Sequence, residues 1–226
     1  MNIVVASSGG PTSAINASIA GVYLEAVKHS SINKIYGAFN GIEGILENRL
    51  VDLREQLNDD GAVELLKNTP STVLGSCRYK LPKVEDDITV YEKVVTYFKE
   101  KDIGAFFYIG GNDSMDTVCK LSRYMKENNI DIKVIGIPKT IDNDLMYTDH
   151  TPGFGSAAKY VAATISEITR DRMVYSAKSV TIVEVMGRYA GWLTASSCVL
   201  KERGEWAPHL IYLPEVPFST EKFIED

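Results

Sequence analysis

The chain has 226 residues, 45% of them hydrophobic and 24% charged, enough for a sizeable core in one large domain or two small ones. With Lys+Arg 24 against Asp+Glu 30, the formal net charge of −6 argues against bulk nucleic-acid or anionic-membrane binding and confines any basic site to a local patch. Cys77, Cys119 and Cys198 are odd in number without CxxC spacing, so no disulfide framework or zinc site is indicated. No apolar run reaches the ~18 residues of a membrane span, and the expectation is a soluble cytoplasmic protein.

Asn2 to Ala6 is a short apolar run that predicts a strand, and Ser7 to Thr12 breaks it. Ile15, Ile19, Val22, Tyr23, Ala26 and Val27 then recur at helical spacing. The turn between is a natural anion site: Gly9 and Gly10 let the backbone approach a ligand, while Ser8, Thr12 and the free amides of the helix supply donors. It has neither the Walker Lys-Ser/Thr pair nor GxGxxG spacing, so a structural strand-to-helix turn stays open. Ile35 to Phe39 predicts a second strand and Asn40 to Gly44 a loop. A polar segment follows, then a helix near Ala62 to Lys67. Ser71 to Leu74 is strand-like and delivers Arg78 and Lys80 behind Gly75, either a phosphate clamp or plain surface charge.

A helix is expected from about Ile88 to Lys101. Ala105 to Ile109 then predicts a buried strand, ending in Gly110, Gly111, Asn112, Asp113 and Ser114 before a helix with Met115, Val118, Cys119, Leu121 and Met125. Two Gly-Gly turns opening helices at strand ends suggest two walls of one phosphate crevice, and Asp113 or Ser114 as helix cap is the competing reading. Lys133 to Ile137 predicts another buried strand. Its C-terminal end, where open α/β sheets place ligands, carries Lys139, Thr140, Ile141, Asp142, Asn143 and Asp144. In an extended segment Asp142 and Asp144 point the same way, a patch able to orient a divalent cation or accept a proton; a capped turn is the alternative.

Tyr147 to Ser156 is rich in turn formers and reads as an interdomain hinge, followed by a helix from about Ala157 to Asp171. Val180 to Val185 and His209 to Leu213 predict strands ending at Met186-Gly187-Arg188 and Pro214-Glu215. The expected fold class is α/β, a parallel sheet flanked by helices. Residues 1–150 would form the first domain and 151–226 a second, incomplete one.

Taken together, Ser8 to Thr12, Gly75 to Arg78, Gly110 to Ser114, Pro138 to Asp144, Met186 to Arg188 and Pro214-Glu215 resemble the phosphofructokinase family, in order, across the whole chain. The resemblance implies a Rossmann-like phosphofructokinase fold and phosphoryl transfer to the 1-hydroxyl of fructose 6-phosphate with Mg²⁺ present. On it Asp142 matches the general base, Asp144 its acidic neighbour, and Arg78 a group offsetting charge on the phosphoryl. Gly9, Gly10, Gly111, Asp113 and Ser114 fall on the donor side. Thr140, Ile141, Asp142, Met186, Gly187, Arg188 and Glu215 fall on the substrate side, and Asn112 and Asp113 are the metal candidates.

Where ATP-using members have glycine, this chain has Asp113 and Lys139, which looks like the pyrophosphate-dependent branch. Asp113 would fill space a nucleotide needs, and Lys139 would place a cation beside the compact pyrophosphate. An ATP-dependent enzyme and a non-catalytic phosphate-binding module are the alternatives. The family commonly has Asp where Asn112 stands, and Ser179 stands where ATP-dependent bacterial members supply an intersubunit Arg. The resemblance also implies a homo-oligomer and a chain continuing beyond Asp226, so this sequence reads as truncated.

Overall fold

The computed structural model describes residues 1–226. The chain divides into two compact units, Met1–Lys139 and Thr140–Asp226. No helix is long and apolar enough to cross a membrane.

The first unit runs β1 (Asn2–Ser7), α1 (Ile15–Ala26), β2 (Ile35–Ala38), α2 (Gly41–Leu46), β3 (Leu50–Asp52), α3 (Leu53–Gln56) and α4 (Asp60–Asn68). It continues through α5 (Thr89–Glu100), β4 (Ile103–Gly110), α6 (Asn112–Glu127) and β5 (Lys133–Pro138). The strands form one five-stranded sheet in the order β3-β2-β1-β4-β5, parallel except for the antiparallel β2-β3 pair. Alternation along the strands gives the sheet two buried faces. Val4, Ala6, Phe106 and Tyr108 pack with Ile42 and Ile45 of α2, Tyr91, Val94 and Phe98 of α5, and Leu121 and Met125 of α6. Ile3, Val5, Ala105 and Ile109 face the other way, onto Ile15, Ile19 and Tyr23 of α1 and Val63 and Leu66 of α4. Helices on both faces make this the α/β class the patterning called for.

Local expectations were overturned where neighbours outside the segment decide. Asn40 to Gly44 is not a loop: Asn40 takes a left-handed conformation (φ 56°) and Gly41 opens a short helix whose Ile42 and Ile45 are buried. The polar stretch after it holds β3 and α3, the latter capped by Asp52 accepting from the Arg54 amide at 3.1 Å. Ser71 to Leu74 is a turn, because the Asn16 side chain bonds the Val73 amide (2.7 Å) and the Thr69 carbonyl (2.9 Å) in place of a neighbouring strand. The strand β5 lies at the end of the sheet order and is only partly buried, with Ile135 40% exposed.

The second unit holds α7 (Phe154–Met173), α8 (Trp192–Ser196), α9 (Val199–Glu202) and α10 (Thr220–Glu225). Ala162 and Ile165 of α7 pack on Leu200 of α9. The runs from Val180 and from His209, expected as strands, are not strands. A strand is a pairing, and these segments make none; Val180 is 86% and Ile182 74% exposed.

Candidate active site

In the first unit, three polar loops meet at the C-terminal ends of β1 and β4. Gly9 follows β1 with φ 82°, and its amide donates to the Cys77 carbonyl at 3.0 Å. Ser76 Oγ returns a hydrogen bond to the Gly9 carbonyl at 2.5 Å, so the Gly9 turn and the loop carrying Arg78 are tied twice. The second turn is tied to the first through hydroxyls: Ser8 Oγ and Ser114 Oγ lie 2.5 Å apart, both buried. Behind them burial raises the pKa of the Tyr108 phenol, which also meets Cys77 Sγ at 3.7 Å. Gly110 has no room for a side chain, since a Cβ there would lie 1.9 Å from Ser114 Oγ. Glycine is therefore required at 110, whereas a Cβ at Gly111 would meet only the Lys139 carbonyl oxygen at 3.7 Å, an ordinary contact.

Lys139 closes the arrangement. Its amide donates to the Gly110 carbonyl at 2.9 Å, extending the β4-β5 ladder, and its side chain crosses to the first turn, where Nζ donates to the Gly10 carbonyl. The residue is 5% exposed. Burial, and then the charge of Arg78, lower the pKa of this ammonium. The second cation, Arg78, is exposed at the same loop. Asp113 stands in the first turn of α6 with its side chain 75% exposed and 3.6 Å from Lys80 Nζ. The two Gly-Gly turns thus lie against each other, and Lys139 approaches both, with its Nζ at the Gly10 carbonyl and its amide at the Gly110 carbonyl.

In the second unit the stretch from Thr140 folds back on itself. Thr140 pairs with Gly153, and Thr151 Oγ1 donates to the Thr140 carbonyl at 2.7 Å. The Asp142 amide donates to Thr140 Oγ1 at 3.0 Å. Asn143 is left-handed at φ 57°, so Asp142 and Asp144 do not sit on an extended segment as expected; a turn presents them. They remain close enough to interact: burial first, then the Asp144 charge, raise the pKa of the Asp142 carboxyl. Asp142 Oδ1 is buried without a hydrogen-bond partner. Ile141 is half-buried beside it.

Further along, Gly187 takes φ 119° between exposed Met186 and Arg188, and the Arg188 guanidinium lies 5.8 Å from the Tyr189 ring centre. Glu215 Oε1 accepts from the Gly191 amide at 2.7 Å.

A family model described as Phosphofructokinase matches residues 2–226. The chain belongs to the phosphofructokinase family. It is 42% identical over 224 residues to the pyrophosphate–fructose 6-phosphate 1-phosphotransferase of Rhodospirillum rubrum, covering 99% of this chain and 53% of that protein. Among solved structures, the pyrophosphate-dependent phosphofructokinase of Nitrosospira multiformis superposes with a TM-score of 0.86 at 41% identity, over 99% of this chain and 55% of that one. The enzyme of the same description from Marinobacter aquaeolei gives 0.84 at 43%, again over 99% and 55%. The chain therefore spans about half the length of the relatives it matches.

The phosphofructokinase family calls for a divalent metal, and the first turn of α6 carries the candidate ligands. No group of three or more His, Cys, Asp or Glu side chains converges to form a protein cage. Asn112 and the exposed Asp113 carboxylate fit a different holder: a hard cation that keeps waters and phosphate oxygens as most of its ligands. Ser76 and Asn143 each take a part in their own loop that the motif containing them does not assign: serine after glycine reads as ordinary loop, and at Asn143 the available signal is the tolerance of asparagine for the left-handed region.

Proposed function

We propose that this chain carries the donor side and the general base of a pyrophosphate-dependent 6-phosphofructokinase. The reaction moves a phosphoryl group from pyrophosphate to the 1-hydroxyl of fructose 6-phosphate, giving fructose 1,6-bisphosphate and phosphate. The observation that carries it is Lys139, a cation buried among the two Gly-Gly turns and bonded to the Gly10 carbonyl. A fixed ammonium against backbone turns suits a small dense anion such as pyrophosphate. The relatives named above carry the same activity in their names.

In this reading Gly9, Gly10 and Gly111 admit the phosphates to the backbone, Ser114 offers a hydroxyl, and Lys139 and Arg78 offset charge on the transferred group. Asp142 takes the proton of the sugar hydroxyl as its oxygen bonds to phosphorus and the bridging oxygen leaves with phosphate. Its raised pKa suits a base, and Asp144 contributes to that rise. Thr140 and Ile141 border the hydroxyl, and Met186, Gly187, Arg188 and Glu215 hold the sugar phosphate. The divalent cation, assigned as Mg²⁺, would be held by Asn112 and Asp113. When bound, it neutralises phosphate charge. Cytoplasmic residence and assembly into a homo-oligomer belong to the same proposal.

The test is a coupled assay with pyrophosphate or ATP, on this chain and on a version completed to its relatives' length. Turnover with pyrophosphate well above ATP is expected, along with altered donor choice in Asp113→Gly/Lys139→Gly. Equal rates with ATP, or an unchanged donor preference in the double variant, would overturn the reading.

A further inference from the structure

We propose that Asn143 is the positioning residue for Asp142, clamping the turn that presents this carboxylate; the inference rests on the function proposed above. The Asn143 side chain spans its own loop: Nδ2 donates to the Asp149 carbonyl at 3.0 Å and Oδ1 accepts from the Thr151 amide at 2.9 Å. The residue is 6% exposed, and Thr151 is buried. On the other side of Asp142, its own amide is held by Thr140 Oγ1, and Thr140 is held in turn by Thr151 Oγ1. The backbone bearing the base is thus fixed from both flanks.

This matters because nothing fixes Asp142 Oδ1 directly, as that atom is buried without a hydrogen-bond partner. The place from which the carboxylate is presented is set by the backbone of residues 140–144, which these bonds hold. An asparagine at 143 satisfies three demands at once. The left-handed backbone at φ 57° excludes β-branched and bulky residues. The Thr151 amide needs an acceptor, and the Asp149 carbonyl needs a donor. Glycine meets only the first demand. Aspartate meets the first two, but turns a carboxylate oxygen toward the Asp149 carbonyl, beside the charges of Asp142 and Asp144. A misplacement of about 1 Å at a reacting group lowers rate by roughly 100-fold.

The experiment compares Asn143→Gly and Asn143→Asp with the unmodified chain, each completed to its relatives' length. Amide exchange at Thr151 is measured together with kcat and KM for pyrophosphate. In Asn143→Gly, Thr151 exchange should accelerate roughly 5- to 10-fold, matching the loss of one ordinary hydrogen bond. Over the same change kcat should fall roughly 10- to 100-fold, with KM for pyrophosphate within about 2-fold because the proposed donor groups lie in the first unit. Asn143→Asp should keep more Thr151 protection than Asn143→Gly. Unchanged Thr151 exchange in Asn143→Gly overturns the clamp. Faster exchange with unchanged kcat overturns positioning, and so does a matching rise in KM with general unfolding. If the unmodified protein fails to turn over pyrophosphate, the functional reading and the catalytic half of this proposal fall together, while the exchange data still decide whether Asn143 is the clamp.

Discussion

The ammonium of Lys139 donates to the carbonyl of Gly10, 129 positions earlier in the chain. One buried side chain thereby ties the turn after β1 to the end of β5. If Lys139 also meets pyrophosphate as proposed, Lys139→Met removes a charge-assisted contact to it, generally worth about 1.5–3 kcal/mol, and kcat/KM for pyrophosphate should fall roughly 10- to 100-fold. Folding stability should respond differently. Burial lowers the folded pKa of Lys139, so between that value and the ordinary lysine range the unfolded chain binds more protons and stability rises with pH. Denaturant titrations at successive alkaline pH values should show that rise in the unmodified protein and its absence in Lys139→Met.

Asp142 has the opposite linkage. Its folded pKa is raised by burial and then by Asp144, so the native state binds more protons than the unfolded chain just above the ordinary carboxylate range. Stability falls as pH climbs through that window. Asp142→Asn should therefore be more stable than the unmodified protein at neutral pH, and the gap should close on acidification. If Asp142 is the general base proposed above, its removal should lower kcat by about 10²- to 10⁴-fold. The acid limb of kcat should lie above the ordinary carboxylate range and move partway down in Asp144→Asn, since burial, the larger cause, remains. A pH-rate profile of that variant checks this.

Gly110→Ala should be destabilising through overpacking. The added Cβ would meet Ser114 Oγ at 1.9 Å, Ser114 Cβ at 2.2 Å and the Ser8 carbonyl at 3.2 Å, and only the first of these is a mobile tip. A penalty of about 1–3 kcal/mol follows from such insertions. Thermal denaturation should register it, and KM for pyrophosphate should rise as the Ser8-Ser114 pair is pushed apart.

Glu215 allows its structural and binding roles to be separated. Glu215→Gln retains an oxygen for the Gly191 amide, whereas Glu215→Ala leaves that amide without its side-chain acceptor. Stability should change by less than about 0.5 kcal/mol in the first and fall by about 0.5–1.5 kcal/mol in the second. If Glu215 also holds the sugar phosphate, KM for fructose 6-phosphate rises in both variants.

Much of the first unit was legible in the sequence because its signals are local. The apolar run of β1, the 3.6-residue spacing of Ile15, Ile19 and Tyr23, and the glycine pairs at 9–10 and 110–111 are statements about adjacent residues. Backbone sterics and helix periodicity act over that same range. The runs from Val180 and His209 misled for the same reason: β-branched composition favours extended chain, but a strand also requires a partner, which composition does not encode. Asn40 and Asn143 were unremarkable as letters, yet each holds a left-handed backbone in place through bonds to residues elsewhere in the chain. By itself the sequence determined the alternation of strands and helices, the glycine turns and the residue types of the site. Tertiary structure alone decided that Lys139 reaches Gly10 and that Ser8 meets Ser114, because burial and hydrogen-bond pairing depend on neighbours distant along the chain, while Asn143 closes the loop around Asp142 through residues six and eight positions on, by a fold of that loop that its composition does not encode.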